Sequence, residues 1–212
     1  MVSGHLRSHY KVQHSWKKYL GGCDFYYAIH DYEKKESREI IWNLPVKNIL
    51  YYRHGGSQVE SMFFGIHKAW ESLQSVKYDY VIRLRPDVWV YEDLRKWVKK
   101  GVICVPPPFV ADQYRHYWLN DQVALGEYNV MQKYCSHTIN LGCPHKTLAE
   151  KFNSNGLKAV RTPMKFLIVR EWFPDFKDPK QLENFILKLN WGKESLWHSQ
   201  IWETRKLGIR FL

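Results

Sequence analysis

Apolar positions along this chain recur with two different periods, and segments of the two kinds alternate. Met1-Val2-Ser3 reads as the end of a strand leading into Gly4. Val12, Trp16, Tyr19 and Leu20 then fall at helical spacing, and Gly21-Gly22 ends that run. Asp24 to Ile29 reads as a buried strand and Ile49 to Tyr52 as a second, shorter one. Gly55-Gly56-Ser57 opens the clearest helix. Its apolar set is Val59, Met62, Phe63, Ile66, Ala69, Trp70 and Leu73, the stripe of a core-facing helix.

Tyr78 to Arg85 has the β-branched and aromatic content of a central strand. Pro86 has no N–H for a ladder, so pairing weakens there and Asp87 falls at the carboxyl end of that strand. Val102 to Val105 predicts a short strand, and Pro106-Pro107-Pro108 begins a long loop. Val123 to Gly126 is a further short strand. A helix is expected over Glu127 to Ile139, with Tyr128, Met131, Tyr134, Cys135 and Thr138 on one face. Lys165 to Arg170 is a late strand, Glu194 to Lys206 a final helix, and Gly208 to Leu212 a terminal strand. The alternation predicts an α/β fold, a three-layer α/β/α sandwich around a mostly parallel, mixed sheet. No repeat, low-complexity stretch or internal boundary divides the chain, so residues 1–212 are read as a single domain.

Composition changes this picture in three ways. The chain has 212 residues, enough for a buried core without disulfide staples. Its net charge of +11 makes an anionic partner plausible, although a solvated basic surface accounts for it equally. Cys23, Cys104, Cys135 and Cys143 form no C-x-x-C pair and no zinc spacing, so reduced, buried thiols are expected. With no apolar run of membrane-spanning length and no signal-peptide pattern, a cytoplasmic protein is expected.

Four constellations could carry chemistry. Arg83-x-Arg85-Pro86-Asp87 puts a carboxylate and two arginines at a strand end, where a divalent ion and a diphosphate could be held; a turn aspartate paired with its neighbouring arginine is the plainer reading. Asn120-Asp121-Gln122 could hydrogen-bond sugar hydroxyls or could be an ordinary loop. In Ser3-Gly4-His5-Leu6-Arg7, the glycine permits close backbone approach to a ligand and Arg7 could meet a phosphate at the following helix start. In the last helix, Glu194 and His198 share a face, where His198 could complete a metal shell or simply be surface or core. Neither a G-x-G-x-x-G nor a Walker A sequence is present.

Taken together, Ser3-Gly4-His5-Leu6-Arg7-Ser8, Tyr78 to Asp87 and Asn120-Asp121-Gln122-Val123-Ala124-Leu125-Gly126, with Met131 and Tyr134 beyond, resemble a family of GT-A glycosyltransferases found in microbes, plants and large DNA viruses. The likeness spans roughly residues 1 to 135 and extends in size and strand order to the N-terminal domain of a chlorella-virus glycosyltransferase. It implies a GT-A (Rossmann-like) fold and a nucleoside-diphosphate-sugar donor, with a UDP-sugar expected. It also implies Mn2+ or Mg2+ and transfer to a hydroxyl of a glycan or glycoprotein acceptor. Asp87 falls where such enzymes keep the last acid of a D-x-D metal motif, but Arg85 stands at the position of the first acid. That departure draws attention to His198 as a second metal ligand. Ser3, Gly4, Arg7, Arg83, Arg85, Asn120 and Gln122 are then expected to bind the nucleotide sugar. Asp121 is the candidate base if transfer inverts the anomeric centre. If transfer retains it, the leaving phosphate takes the proton and Asp121 only binds sugar.

Two other function classes compete. Pro86-Asp87 could begin a PD-(D/E)-x-K nuclease motif, with Asp93-Leu94-Arg95 as an imperfect second half. The charge and the 16% aromatic content would also suit a nucleic-acid-binding module with an open aromatic sheet face.

Overall fold

The computed structural model describes residues 1–6, 8–35, 37, 41, 44–73, 76–106, 122–136, 156–164, 166–169, 180, 181 and 184. Within these, strands β1 (Val2–Ser3), β2 (Phe25–His30), β3 (Val46–Tyr52), β4 (Tyr80–Leu84), β6 (Ile103–Val105), β7 (Val123–Glu127) and β8 (Ala159–Arg161) form one sheet. Its order is β3-β2-β1-β4-β7-β6-β8. Both neighbours of β7 run antiparallel to it, and every other pair is parallel. Strands β5 (Val88–Val90) and β9 (Phe166–Ile168) pair antiparallel in a second, two-stranded sheet.

Helix α1 (His9–Tyr19) covers one face of the large sheet. Val12, Trp16 and Leu20 join Val2, Tyr27, Ile82 and Leu84 in one core, together with Trp89 and Phe166 of the small sheet. Helices α2 (Gln58–Glu71) and α3 (Tyr128–Cys135) cover the other face. There Phe63, Ile66, Ala69, Trp70, Met131 and Tyr134 pack on Ala28, Val81, Ile103 and Ala124. Two cores on two faces make the three-layer α/β/α arrangement that the alternation of periods predicts.

Local chemistry explains most boundaries. Ser57 caps α2 through a reciprocal box: its hydroxyl accepts from the Glu60 N–H, and the Glu60 carboxylate accepts from the Ser57 N–H. α1 stops where the pattern stops, at Leu20 and the two glycines. β3 starts three residues before the predicted Ile49. Val46-Lys47-Asn48 is half-exposed to exposed at the sheet edge and shows no apolar run, so only pairing with β2 reveals it as strand. β4 is shorter than Tyr78 to Arg85, although the Arg85 N–H still donates to the Gln122 carbonyl at 3.0 Å. β5 and β8, three residues each, have no periodic signal of their own. No helix among the described residues is long and apolar enough to cross a membrane, and Cys23, Cys104 and Cys135 are free thiols.

Candidate functional site

The chain builds β1, β2 and β3 outward in one direction, then places β4 on the opposite side of β1. That reversal falls between β1 and β4, and in open α/β sheets the carboxyl ends of the strands at such a point are where ligands bind. Ser3 and Gly4 end β1 there, and Arg85-Pro86-Asp87 ends β4.

The two strand ends nearly touch. Gly4 has φ +127°, and a Cβ on it would lie 3.2 Å from Pro86 Cδ, so both conformation and space require glycine. The Val88 N–H donates to the Arg85 carbonyl at 3.2 Å, closing a tight turn with Pro86 at its second position, which proline's φ suits. The Asp87 side chain is 7% exposed and that of Arg85 25%. Arg85 forks onto Asp87, Nε donating to Oδ1 at 3.1 Å and Nη2 to Oδ2 at 2.7 Å. This is the arginine–aspartate pairing that the plainer sequence reading anticipates. Arg83, two residues back on the same strand face, is fully buried.

The turn is held from behind by α1. His9 Nδ1 lies 2.8 Å from the Pro86 carbonyl and Nε2 lies 2.9 Å from the Tyr27 hydroxyl. A carbonyl only accepts, so Nδ1 carries the hydrogen and Nε2 accepts from the phenol. Burial, the dominant cause, pushes the His9 pKa down to about 4, against smaller upward effects of the Pro86 hydrogen bond and the Asp87 charge. The imidazole is therefore a neutral strut. Trp16 Nε1 donates to the Val88 carbonyl at 2.6 Å, the Val169 N–H donates to the Asp87 carbonyl at 2.8 Å, and the Ser8 hydroxyl donates to the Val169 carbonyl. The carboxylate thus stands on a turn bonded to α1 and to the chain following β9.

Beside this turn the same edge carries flat rings. His5 and His30 stack at 4.8 Å between centroids and 5° between planes. Tyr32 lies 5.1 Å from His30 at 25° and is 62% exposed. The sequence reading missed His9 and this stack. A lone histidine per strand or turn has no spacing signal, and only the parallel register of β1 and β2 brings His5 and His30 together.

Neither a family model nor any curated protein matches this sequence. Solved structures with a similar chain path include apo mouse xyloside xylosyltransferase 1, with 10% identity, 76% of this chain and 85% of that chain covered and a TM-score of 0.45. HddC from Yersinia pseudotuberculosis gives 11% identity, 83% and 84% coverage and a TM-score of 0.42. A nucleoside-diphosphate-sugar pyrophosphorylase from Vibrio cholerae RC9 gives 12%, 77% and 82%, and 0.40. At this identity the likeness is one of chain path alone.

The structure brings Ser3, Gly4, Arg83, Arg85, Asp87 and the half-strand preceding β7 at Gln122 to one end of β1 and β4. Gln122 is buried, and its carbonyl continues the β4–β7 ladder. Arg7, Asn120, Asp121, Glu194 and His198 lie outside the described residues, as do the predicted final helix and terminal strand. The two competing classes find little here. Asp93 and Arg95 bind each other near Gly21, at the other end of the sheet from Asp87, so they add no second acid to its turn. Both faces of the large sheet are covered, and its aromatics Phe25, Tyr26, Tyr27 and Tyr52 are buried rather than open to bases.

Proposed function

We propose that the chain is a GT-A-type glycosyltransferase that takes a sugar from a nucleoside diphosphate, a UDP-sugar in first place, to a hydroxyl of a glycan or glycoprotein. The observation that carries this reading is the convergence of Gly4, Arg85 and Asp87 on the β1/β4 switch point, an arrangement of close backbone approach, fork and carboxylate that suits a diphosphate. The Tyr32–His30–His5 stack beside it offers an exposed ring face on which a base can continue the stack.

In this reading Arg85 leaves Asp87 and forks onto the donor's phosphates, neutralising charge as the bond from the anomeric carbon to the β-phosphate oxygen breaks. The acceptor oxygen forms the new bond to that carbon. Its proton passes to Asp121 if the centre inverts, or to the departing diphosphate if it is retained. Asn120 and Gln122 hold sugar hydroxyls, and Arg7 with the Ser3-Gly4 backbone holds the nucleotide.

Release of Asp87 by Arg85 also makes a hard oxygen ligand available. No three acids, histidines or cysteines cluster among the described residues. One carboxylate still fits Mg2+ or Mn2+, which keep several waters and are commonly bound through one or two carboxylates plus substrate phosphates. Asp87 would hold such an ion, with His198 as the proposed second ligand. When bound, it supplies Lewis-acid stabilisation of the leaving diphosphate.

The test is the melting temperature with UDP, GDP and single-stranded DNA, each with and without Mn2+, followed by turnover of the selected sugar nucleotide. A Mn2+-dependent rise with one nucleotide is expected. A shift with single-stranded DNA alone would reject the transferase.

A further inference from the structure

β1 is the shortest of the described strands, and the sheet has a gap behind it. Val2 pairs with Tyr27 on one side and with Leu84 on the other, and the Met1 nitrogen donates to the Ile82 carbonyl at 2.9 Å. β2 reaches back to Phe25 and β4 to Tyr80, past the point where β1 starts. Among the described residues no strand lies between them there. In its place is a cavity of about 170 Å3, at the amino ends of the strands and so at the opposite edge of the sheet from Asp87. Phe25 and Tyr26 form one wall, and Tyr80, Val81 and Ile82 the other. Leu20 bounds it on the α1 face and Leu73 on the α2 face. The Tyr78 hydroxyl lies 2.8 Å from that of Tyr26 and donates to Asp24 Oδ2 at 2.9 Å. Of the acids that line the cavity, Asp24 is partly exposed and Asp79 exposed, so they mark its mouth; Lys47 stands 3.5 Å from Asp24.

These walls have the shape that one more strand would fill. Side chains of a strand alternate between faces, and both faces here are apolar. Tyr80 to Ile82 span about 10 Å at roughly 3.3 Å per residue, room for a segment of about three residues. An occupant in line with β1 and parallel to β2 and β4 presents its carboxyl end to the Met1 nitrogen and its amino side to Asp24 and Asp79. The two ends of the slot therefore select opposite charges, a carboxylate inside and a basic residue at the mouth. Burial, the dominant cause, lowers the pKa of the Met1 amine to about 5; of the other groups about it, Cys23 and Cys135 act upward and Arg83 downward. A carboxylate beside the amine restores its proton.

We propose that this slot binds the carboxyl-terminal end of a partner protein, two apolar residues preceded by a lysine or arginine, which adds a strand to the sheet in line with β1. The occupant is a chain end rather than an internal loop, because Met1 closes the inner end of the slot. The site lies at the far edge from Asp87 and does not depend on the nucleotide-sugar reading.

The probe is the peptide acetyl-Gly-Lys-Val-Ile with a free carboxylate, titrated into the whole chain beside its carboxamide. The acid is expected to bind, and the carboxamide to bind at least about 10-fold more weakly. Glutamate in place of the peptide's lysine is expected to weaken binding by roughly a few-fold. Cys23, a partly exposed thiol lining the slot, reports the location: bound peptide is expected to slow its alkylation, read by mass spectrometry. Both readouts use the wild-type chain, so neither depends on a variant folding. No binding, equal binding of acid and carboxamide, or binding that leaves Cys23 alkylation unchanged overturns the proposal. So does a chain that dimerises without peptide and protects Cys23 in doing so, since the occupant is then a second copy. If the free peptide fails and Lys-Val-Ile joined directly ahead of Met1 raises the melting temperature, the slot takes only a covalently joined strand and the partner is to be abandoned.

Discussion

The two ends of the large sheet carry the same chemistry in opposite order: Arg85-Pro86-Asp87 at one and Asp93-Leu94-Arg95 at the other. Each is an arginine–aspartate fork between residues two apart, with a shortest contact of 2.7 Å. Each has a glycine of positive φ nearby, Gly4 beside Pro86 and Gly22 beside Arg95. The environments differ. The Asp93 and Arg95 side chains are 43% and 36% exposed, and Asp93 caps a short 3-10 helix at Leu94–Trp97 by accepting from the Arg95 N–H. That pair is a surface cap, of the kind that contributes little. The Asp87 side chain is 7% exposed, its turn is tied to α1, and it stands at the switch point. Identical residue types therefore become a helix cap at one edge and a candidate phosphate site at the other, and burial with topology makes the difference.

The largest expected effect breaks the comparison at the carboxyl edge. Asp87→Ala should lose Mn2+-dependent nucleotide binding and reduce transfer on the order of 10²-fold or more. Asp93→Ala should leave both unchanged and cost about 1 kcal/mol of stability. If activity survives excess EDTA, and Asp87→Ala is nearly silent while Arg85→Ala is not, arginines alone neutralise the phosphates and the metal is to be abandoned.

Acid sharpens the same contrast, because the buried His9 strut ties the Asp87 turn to Tyr27 and makes no bond to the Asp93 turn. Between pH 6.5 and about 4 an unfolded chain protonates this imidazole and the folded one does not. The unfolded state then binds more protons, so stability is full above pH 6.5 and falls as the pH drops toward 4, by about 3 kcal/mol in all. His30, also lowered by burial first and by His5 next, adds in the same direction. Denaturant unfolding of wild type and His9→Gln across that range isolates the His9 share. Equal pH slopes in the two proteins would remove His9 from the account.

The glycines give the smallest contrast. Gly4→Ala must hold φ +127° and bring a Cβ to 3.2 Å from the Pro86 ring, at a cost of about 2 kcal/mol or more. Gly22→Ala, at φ +81° with only the end of Arg95 within 4 Å, should cost about 1 kcal/mol. Chemical denaturation of both variants measures this, and equal costs would mean that the strand ends are not in tight contact.

Amino-acid order alone determined the layers. The α2 stripe from Met62 to Leu73, the β2 and β4 runs and the glycines after Leu20 each state a local period or stop, and a core-facing period persists whatever the neighbours are. It also marked Gly4, Arg85 and Asp87, because a glycine or proline at the end of an apolar run signals a strand end. Only the tertiary structure decided which of two Arg/Asp pairs is buried, that His9 braces the turn 77 residues away, and that the Arg83 guanidinium and the Ser3 hydroxyl meet no partner among the described residues. The short β5 and β8 and the half-exposed start of β3 likewise became visible only through their partners. The physical reason is common to all of these. Burial, register and satisfaction of a polar group are properties of what a residue faces across the fold, and neighbours in the chain do not specify that.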